Sequence, residues 1–258
     1  MLVAAALVPD TALLVPGAGG RADAGAGLRT AALAVVGAAL DRLRTADDVS
    51  DGTVVVVAPG RRTRELTGTV VGSLQAAGVP DDLLGWPAPT FQALDGPPTQ
   101  EAVGVSAAVA LHLLARAGWR SPLRVVEVDD GPADDDAGDA DVADLTARGA
   151  ALVADRPTVL VVVGSGSGRH GPDAPLADDP DAPAYDADVL AELGSGTPDA
   201  LDRLRALDPA RARALAVTGR APWQVLVGAV GARSVTAHLE TAEVAAGAQH
   251  AALRWVIA

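Results

Sequence analysis

A three-layer α/β/α fold with a central, mostly parallel but mixed sheet is predicted by three observations. Aliphatic and β-branched runs recur along the chain, and they are continuous rather than alternating, as in strands covered on both faces. Stretches with helical apolar spacing separate them. The chain of 258 residues, 49% hydrophobic and 21% charged, has enough apolar mass for one such domain over residues 1–258.

The predicted strands are Leu2 to Val8, Thr53 to Ala58, Leu123 to Val128 and Thr158 to Val163, with Ser234 to Leu239 and Leu253 to Ile257 near the C-terminus. Between them, Ala22 to Leu43, Thr63 to Ala77, Thr99 to Ala117 and Val142 to Ala154 carry helical spacing. Further helices are expected over Asp186 to Leu193, Pro198 to Leu207, Pro209 to Val217 and Pro222 to Val230. Thr197 and Asp208 each precede a proline and are placed as caps. Asp129 to Asp144 holds eight Asp residues and reads as a solvated loop, because the spacing and closing Glu of a calcium loop are missing. Gly164 to Ala184, rich in Gly, Pro and Asp, follows the most apolar strand, where α/β sheets hold their ligands.

Composition removes several function classes. The formal charge of −13 repels phosphate backbones and anionic lipid headgroups, so no nucleic-acid or membrane-surface partner is expected. No Cys and no Lys occur, which excludes thiolate nucleophiles, cysteine-ligated zinc, Schiff-base lysines and the P-loop lysine. The apolar opening stops at Pro9-Asp10 without a basic n-region, and no stretch has the ~18 apolar residues of a membrane span. A cytoplasmic location is the expectation.

Few motifs carry chemistry. Gly164-Ser-Gly166-Ser-Gly168 departs from the dinucleotide fingerprint, since its third Gly comes one residue early and no helix follows. A nucleophile elbow would need Ser where Gly166 stands. His170, just beyond this turn, is placed to act as a ligand or proton carrier. His112 and His250 have no such context, and His238 shares a strand face with Glu240, either as a metal pair or as a solvent-facing polar pair. Arg61, Arg62 and Arg64 follow a strand's carboxyl end, where guanidiniums hold an anion or simply offset local acidity.

Several stretches, taken in order, resemble the class III extradiol ring-opening dioxygenases, in their catalytic-subunit (LigB-like) and Memo-like branches. They are Ala4-Ala-Ala-Leu-Val-Pro9-Asp10-Thr-Ala-Leu-Leu-Val-Pro16-Gly, Val161-Val-Val-Gly164-Ser-Gly166-Ser167, Ala174-Pro175, Ala182-Pro-Ala-Tyr185-Asp186, Leu207-Asp208-Pro209 and Gly219-Arg-Ala-Pro-Trp223-Gln-Val-Leu-Val-Gly228. The resemblance implies a LigB-like fold, a site at strand carboxyl ends, an Fe(II) cofactor on two His and one Glu, a further His for protons, and a small aromatic substrate.

The residues that fall on those positions differ. Asp10 stands at the first ligand position and Gly60 or Arg61 at the second, while the acid-base position falls at Gly168, with His170 two residues on. Glu240 and Glu243 are the candidates for the carboxylate. On the resemblance, His170 and Ser167 would do the chemistry, Arg61, Gly166 and Gly168 would contact substrate, and Asp10 with Glu240 or Glu243 would hold metal. A single imidazole among them would hold Fe(II) loosely. The leading expectation is an extradiol dioxygenase homologue, an oxidoreductase by kinship, with an impaired or empty iron site: a pseudoenzyme. The alternatives are a non-catalytic binding or scaffold protein, and a metal-independent hydrolase using Ser165 or Ser167 with His170. A homo-oligomer or a partner subunit fits the resemblance.

Overall fold

The structure is a computed structural model describing residues 1–20, 23–45, 52–94, 100–130, 138–172, 174 and 176–257. Strand β1 (Leu2–Val8) leads through a 3-10 turn (Ala12–Leu14) to α1 (Ala26–Arg44) and β2 (Thr53–Pro59). Short strands β3 (Arg64–Leu66), β4 (Thr69–Val71), β5 (Thr90–Gln92) and β6 (Gln100–Ala102) precede α2 (Val105–Arg116) and β7 (Arg124–Val128). Then come α3 (Gly138–Leu152), β8 (Thr158–Val163), α4 (Ala182–Ser195), α5 (Pro198–Arg205), α6 (Pro209–Ala214), α7 (Arg220–Val230) and the hairpin β9 (Val235–Ala245) and β10 (Ala248–Ile257).

The main sheet has seven strands in the order β3-β7-β2-β8-β1-β10-β9. Pairs β7/β2, β2/β8 and β8/β1 are parallel, whereas β3, β10 and β9 join antiparallel. With helices on both faces, this is the predicted three-layer α/β fold with a mixed sheet. The parallel centre explains the continuous apolar runs: every residue of β8 is buried, and β2 is buried from Thr53 to Ala58. Alternate side chains feed two cores. Ala4, Val56 and Val161 pack under α1 and α2, while Leu7, Val57 and Val162 pack under α4 to α7. Each buried Val or Leu contributes about 1.5–3 kcal/mol relative to exposure.

Local chemistry sets several boundaries. Thr197 accepts from the Ala200 amide and Asp208 from the Ala210 amide, with Pro198 and Pro209 opening α5 and α6. Gly228 lets α3 and α7 touch at backbone distance, since a Cβ there would lie 2.0 Å from the Thr146 carbonyl.

Four expectations need correction. Thr63 to Ala77 is not a helix: it forms β3, β4 and a 3-10 turn (Gln75–Ala77), because Arg64 and Leu66 complete the edge of β7 and Gly68 sits at φ 73°. Thr99 to Ala117 is helical only over Val105–Arg116, as Gln100–Ala102 pairs with β4. The C-terminal strands extend much further, from Val235 to Ala245 and Ala248 to Ile257, joined at Ala246 and Gly247, both at positive φ. The acidic stretch is already helical from Gly138, and its residues 131–137 lie outside the described residues.

Candidate functional site

The carboxyl ends of β1, β2 and β7 open into a cleft of ≈ 520 Å³. Asp10 comes from the end of β1, and Pro59 to Arg62 from the end of β2. Gly104 to Ser106 bring the start of α2, Glu127 lies on β7, and Thr218 precedes α7. Arg64 is bound to the buried Glu127 at 2.7 Å, and Glu127 also accepts from the Gly104 amide at 2.5 Å, so these two charges cancel within the wall. Arg61 and Arg62 are exposed, and neither makes an ion pair or side-chain hydrogen bond among the described residues.

Ser165 closes the floor behind Asp10. Its Oγ donates to Asp10 Oδ1 at 2.5 Å and lies 2.8 Å from His250 Nδ1. A serine has one proton to give, so His250 is the donor in the second bond, and the neutral ring carries its hydrogen on Nδ1. The Asp10 amide also points at Oγ, at 3.4 Å. Five hydrogen bonds of the backbone fix the serine and the turn around it. Its amide donates to Thr218 Oγ1, its carbonyl accepts from Thr218 and Gly219, and Gly166 N and Gln249 N exchange bonds with Gln249 O and Ser167 O. Gly164 packs so tightly on Gly219 that a Cβ would meet the Gly219 Cα at 2.4 Å, so only glycine lets the turn descend this far.

Burial and charge set the state of this group. Burial pushes the His250 pKa down, partly opposed by the charges of Asp10 and Glu243, so the ring is neutral at pH 7. Ser165 is 4% exposed, and its proton points at a carboxylate beside which an alkoxide would be repelled. The imidazole bonded to Ser165 is that of His250.

His170 belongs to a separate cluster. Its Nε2 meets Asp186 Oδ2 at 2.6 Å, and Asp186 Oδ1 accepts from the Ser167 amide at 2.8 Å. Desolvation raises the Asp186 pKa, and the His170 contact pulls it back. The His170 amide donates to Gly247 O at 3.0 Å, which ties the loop to the β9/β10 turn. Ser167 is fully buried; its Oγ accepts from the Arg169 amide. Gly166 lines a small enclosed cavity of ≈ 20 Å³ with Asp186, Gln249 and Trp223, and the Gly168 amide is used on the Leu215 carbonyl. The structure thus brings Asp10 and Arg61 to one cleft and leaves His170, Ser167, Gly166 and Gly168 off its lining.

The two glutamates lie on the edge strand. Glu240 is exposed and faces His238 at 3.4 Å, the solvent-facing polar pair, beside a register shift between Ala252 and Leu253. Glu243 is paired across the ladder with His250 and is half-buried. Among the described residues, no group of three or more His, Asp or Glu is arranged to hold a metal ion. The donor set does not fit the two-His, one-Glu site that the resemblance implies. Asp10 is bound to Ser165, the second ligand position carries a glycine and a cation, and His170 is bound to Asp186. His250 is what the sequence reading missed, because nothing near residue 250 signals a partner at residue 165.

No family model and no curated protein matches the chain. Among solved structures it is similar to the uncharacterized protein JW3007 from Escherichia coli K12, at 15% identity and a TM-score of 0.43, over 79% of this chain and 85% of that one. No described helix is long and apolar enough to cross a membrane.

Proposed function

We propose that this chain is a small-anion-binding protein built on a scaffold resembling the LigB-like ring-opening dioxygenases, in which the family's iron position has become a guanidinium-lined cleft. The observation that carries the proposal is the pair Arg61 and Arg62, exposed in the ≈ 520 Å³ cleft with no counter-ion among the described residues. Two guanidiniums disfavour a divalent cation and favour a carboxylate or phosphate, which they can grip through paired N–H groups. The volume lies within the range of small-molecule sites, about 300–1,000 Å³. The family's ring-opening chemistry needs a bound Fe(II), and the residues here do not supply its ligands, so no oxidative step is assigned to the chain. A cytoplasmic location belongs to the same proposal.

Isothermal titration with inorganic phosphate tests it. Saturable binding is expected in the wild type, weakened at least about ten-fold in the Arg61→Ala/Arg62→Ala variant through loss of charge-assisted bonds. Equal affinity in the two proteins, or catechol turnover after anaerobic Fe(II) loading, would return the cleft to a different role.

A further inference from the structure

Resting on the anion-binding reading above, we infer that the cleft takes an anion bearing several hydroxyl groups, of the phosphorylated-polyol type, and not a flat aromatic ring. The walls are the first reason. Among the described residues no aromatic side chain lines the cleft, and its polar groups, the Arg61 and Arg62 guanidiniums and the Ser106 and Thr218 hydroxyls, sit within walls whose exposed surface is otherwise largely carbon. A flat ring therefore has no aromatic face to stack on, and the guanidiniums and hydroxyls it covered would be left without partners. A ligand that carries donors and acceptors on a short carbon skeleton, as a polyol phosphate does, meets both kinds of surface.

Polarity across the cleft is the second reason. The β2 end presents the free cations Arg61 and Arg62, whereas the β1 end presents Asp10. Asp10 Oδ1 is used by Ser165, and Oδ2 has no partner among the described residues. A carboxylate oxygen at that place accepts hydrogen bonds from ligand hydroxyls and repels a bare anion. Ser106, in the first turn of α2, adds a hydroxyl that gives or takes a bond. An anionic group at the arginines with hydroxyls reaching Asp10 satisfies both ends. Inorganic phosphate satisfies only one, and a neutral sugar only the other.

Calorimetry with glycerol 3-phosphate, ribose 5-phosphate, glucose 6-phosphate, inorganic phosphate, glucose and protocatechuate tests the inference on the full chain. At least one polyol phosphate is expected to bind about ten-fold or more tighter than inorganic phosphate, glucose and protocatechuate. Asp10→Asn keeps an oxygen for the Ser165 proton but removes the charge. It is expected to weaken the best polyol phosphate several-fold while strengthening inorganic phosphate, two changes of opposite sign. Phosphate binding as tightly as every polyol phosphate, protocatechuate binding tightest, or Asp10→Asn moving both ligands the same way would overturn the inference. In each of those outcomes, arginine-dependent phosphate binding would leave the anion-binding reading intact. No binding of any anion would overturn both. If Asp10→Asn does not fold, the wild-type ranking decides.

Discussion

Ser165→Ala removes one oxygen from the most densely bonded point of the cleft floor. In the wild type that oxygen donates to Asp10 at 2.5 Å and receives the His250 Nδ1 hydrogen at 2.8 Å. The bond to an ionised acceptor has a net value of about 1.5–3 kcal/mol, and stranding a buried donor costs about 1–3 kcal/mol. Asp10 lines the cleft and can turn to water, whereas His250 is 3% exposed and cannot, so the two losses combine incompletely. The expected destabilisation is about 2–4 kcal/mol. For a chain of this length that lowers Tm by about 5–15 °C. Urea and thermal unfolding measure it, and a double-mutant cycle with His250→Gln isolates the pair, with an expected coupling of about 0.5–3 kcal/mol. A Tm within about 2 °C of wild type, or strict additivity in the cycle, would refute the reasoning that Ser165 is a structural lock.

Other expectations follow from the same geometry. His250 has a lowered folded-state pKa because burial penalises its charged form, so both states hold a neutral ring above about pH 6.5, and stability is lost as the pH falls below that value. The slope is at most about 1.4 kcal/mol per pH unit for this group; urea unfolding from pH 7.5 to 5 should show it shallower in His250→Gln, and an unchanged slope would contradict the assignment. Gly228→Ala should destabilise by about 3 kcal/mol or more, because its Cβ would overlap the Thr146 backbone where α3 meets α7; wild-type Tm in that variant would contradict the close crossing. Ala246 sits at φ 50° in the β9/β10 turn, so Ala246→Gly should raise unfolding stability by about 1 kcal/mol, and a lower Tm would count against that turn conformation.

Much of the scaffold was legible in the chain because the central strands are parallel and buried on both faces. Leu2–Val8, Thr53–Pro59 and Thr158–Val163 have no alternation to be misread, and each ends where a loop must carry function. The helix expected over Thr63 to Ala77 failed because its residues are claimed by neighbours far away in sequence. Arg64 pairs with Glu127 and Val70 with Phe91, and local spacing cannot anticipate either. Gly68 and Gly72 were the available warning. The long hairpin was hidden by its turn, where Ala246 takes a conformation that Asn or Gly would have advertised.

The site was half legible for a related reason. Asp10 and Arg61 follow strand ends directly, so topology delivers them to the cleft. His170 also follows a strand end, but the chain turns it toward Asp186, whose position on α4 is fixed by packing under the other face of the sheet. His250 reaches Ser165 only because β10 joins β1 antiparallel, a pairing that the sequence does not encode locally.

Side-by-side calorimetry of wild-type protein with Fe(II) under anaerobic conditions and with a polyol phosphate tests most directly the proposal that the cleft binds an anion and not a cation. Saturable, arginine-dependent binding of the phosphate ester with no stoichiometric iron retained after desalting is expected. One tightly held iron per chain, with no affinity for the ester, would contradict it.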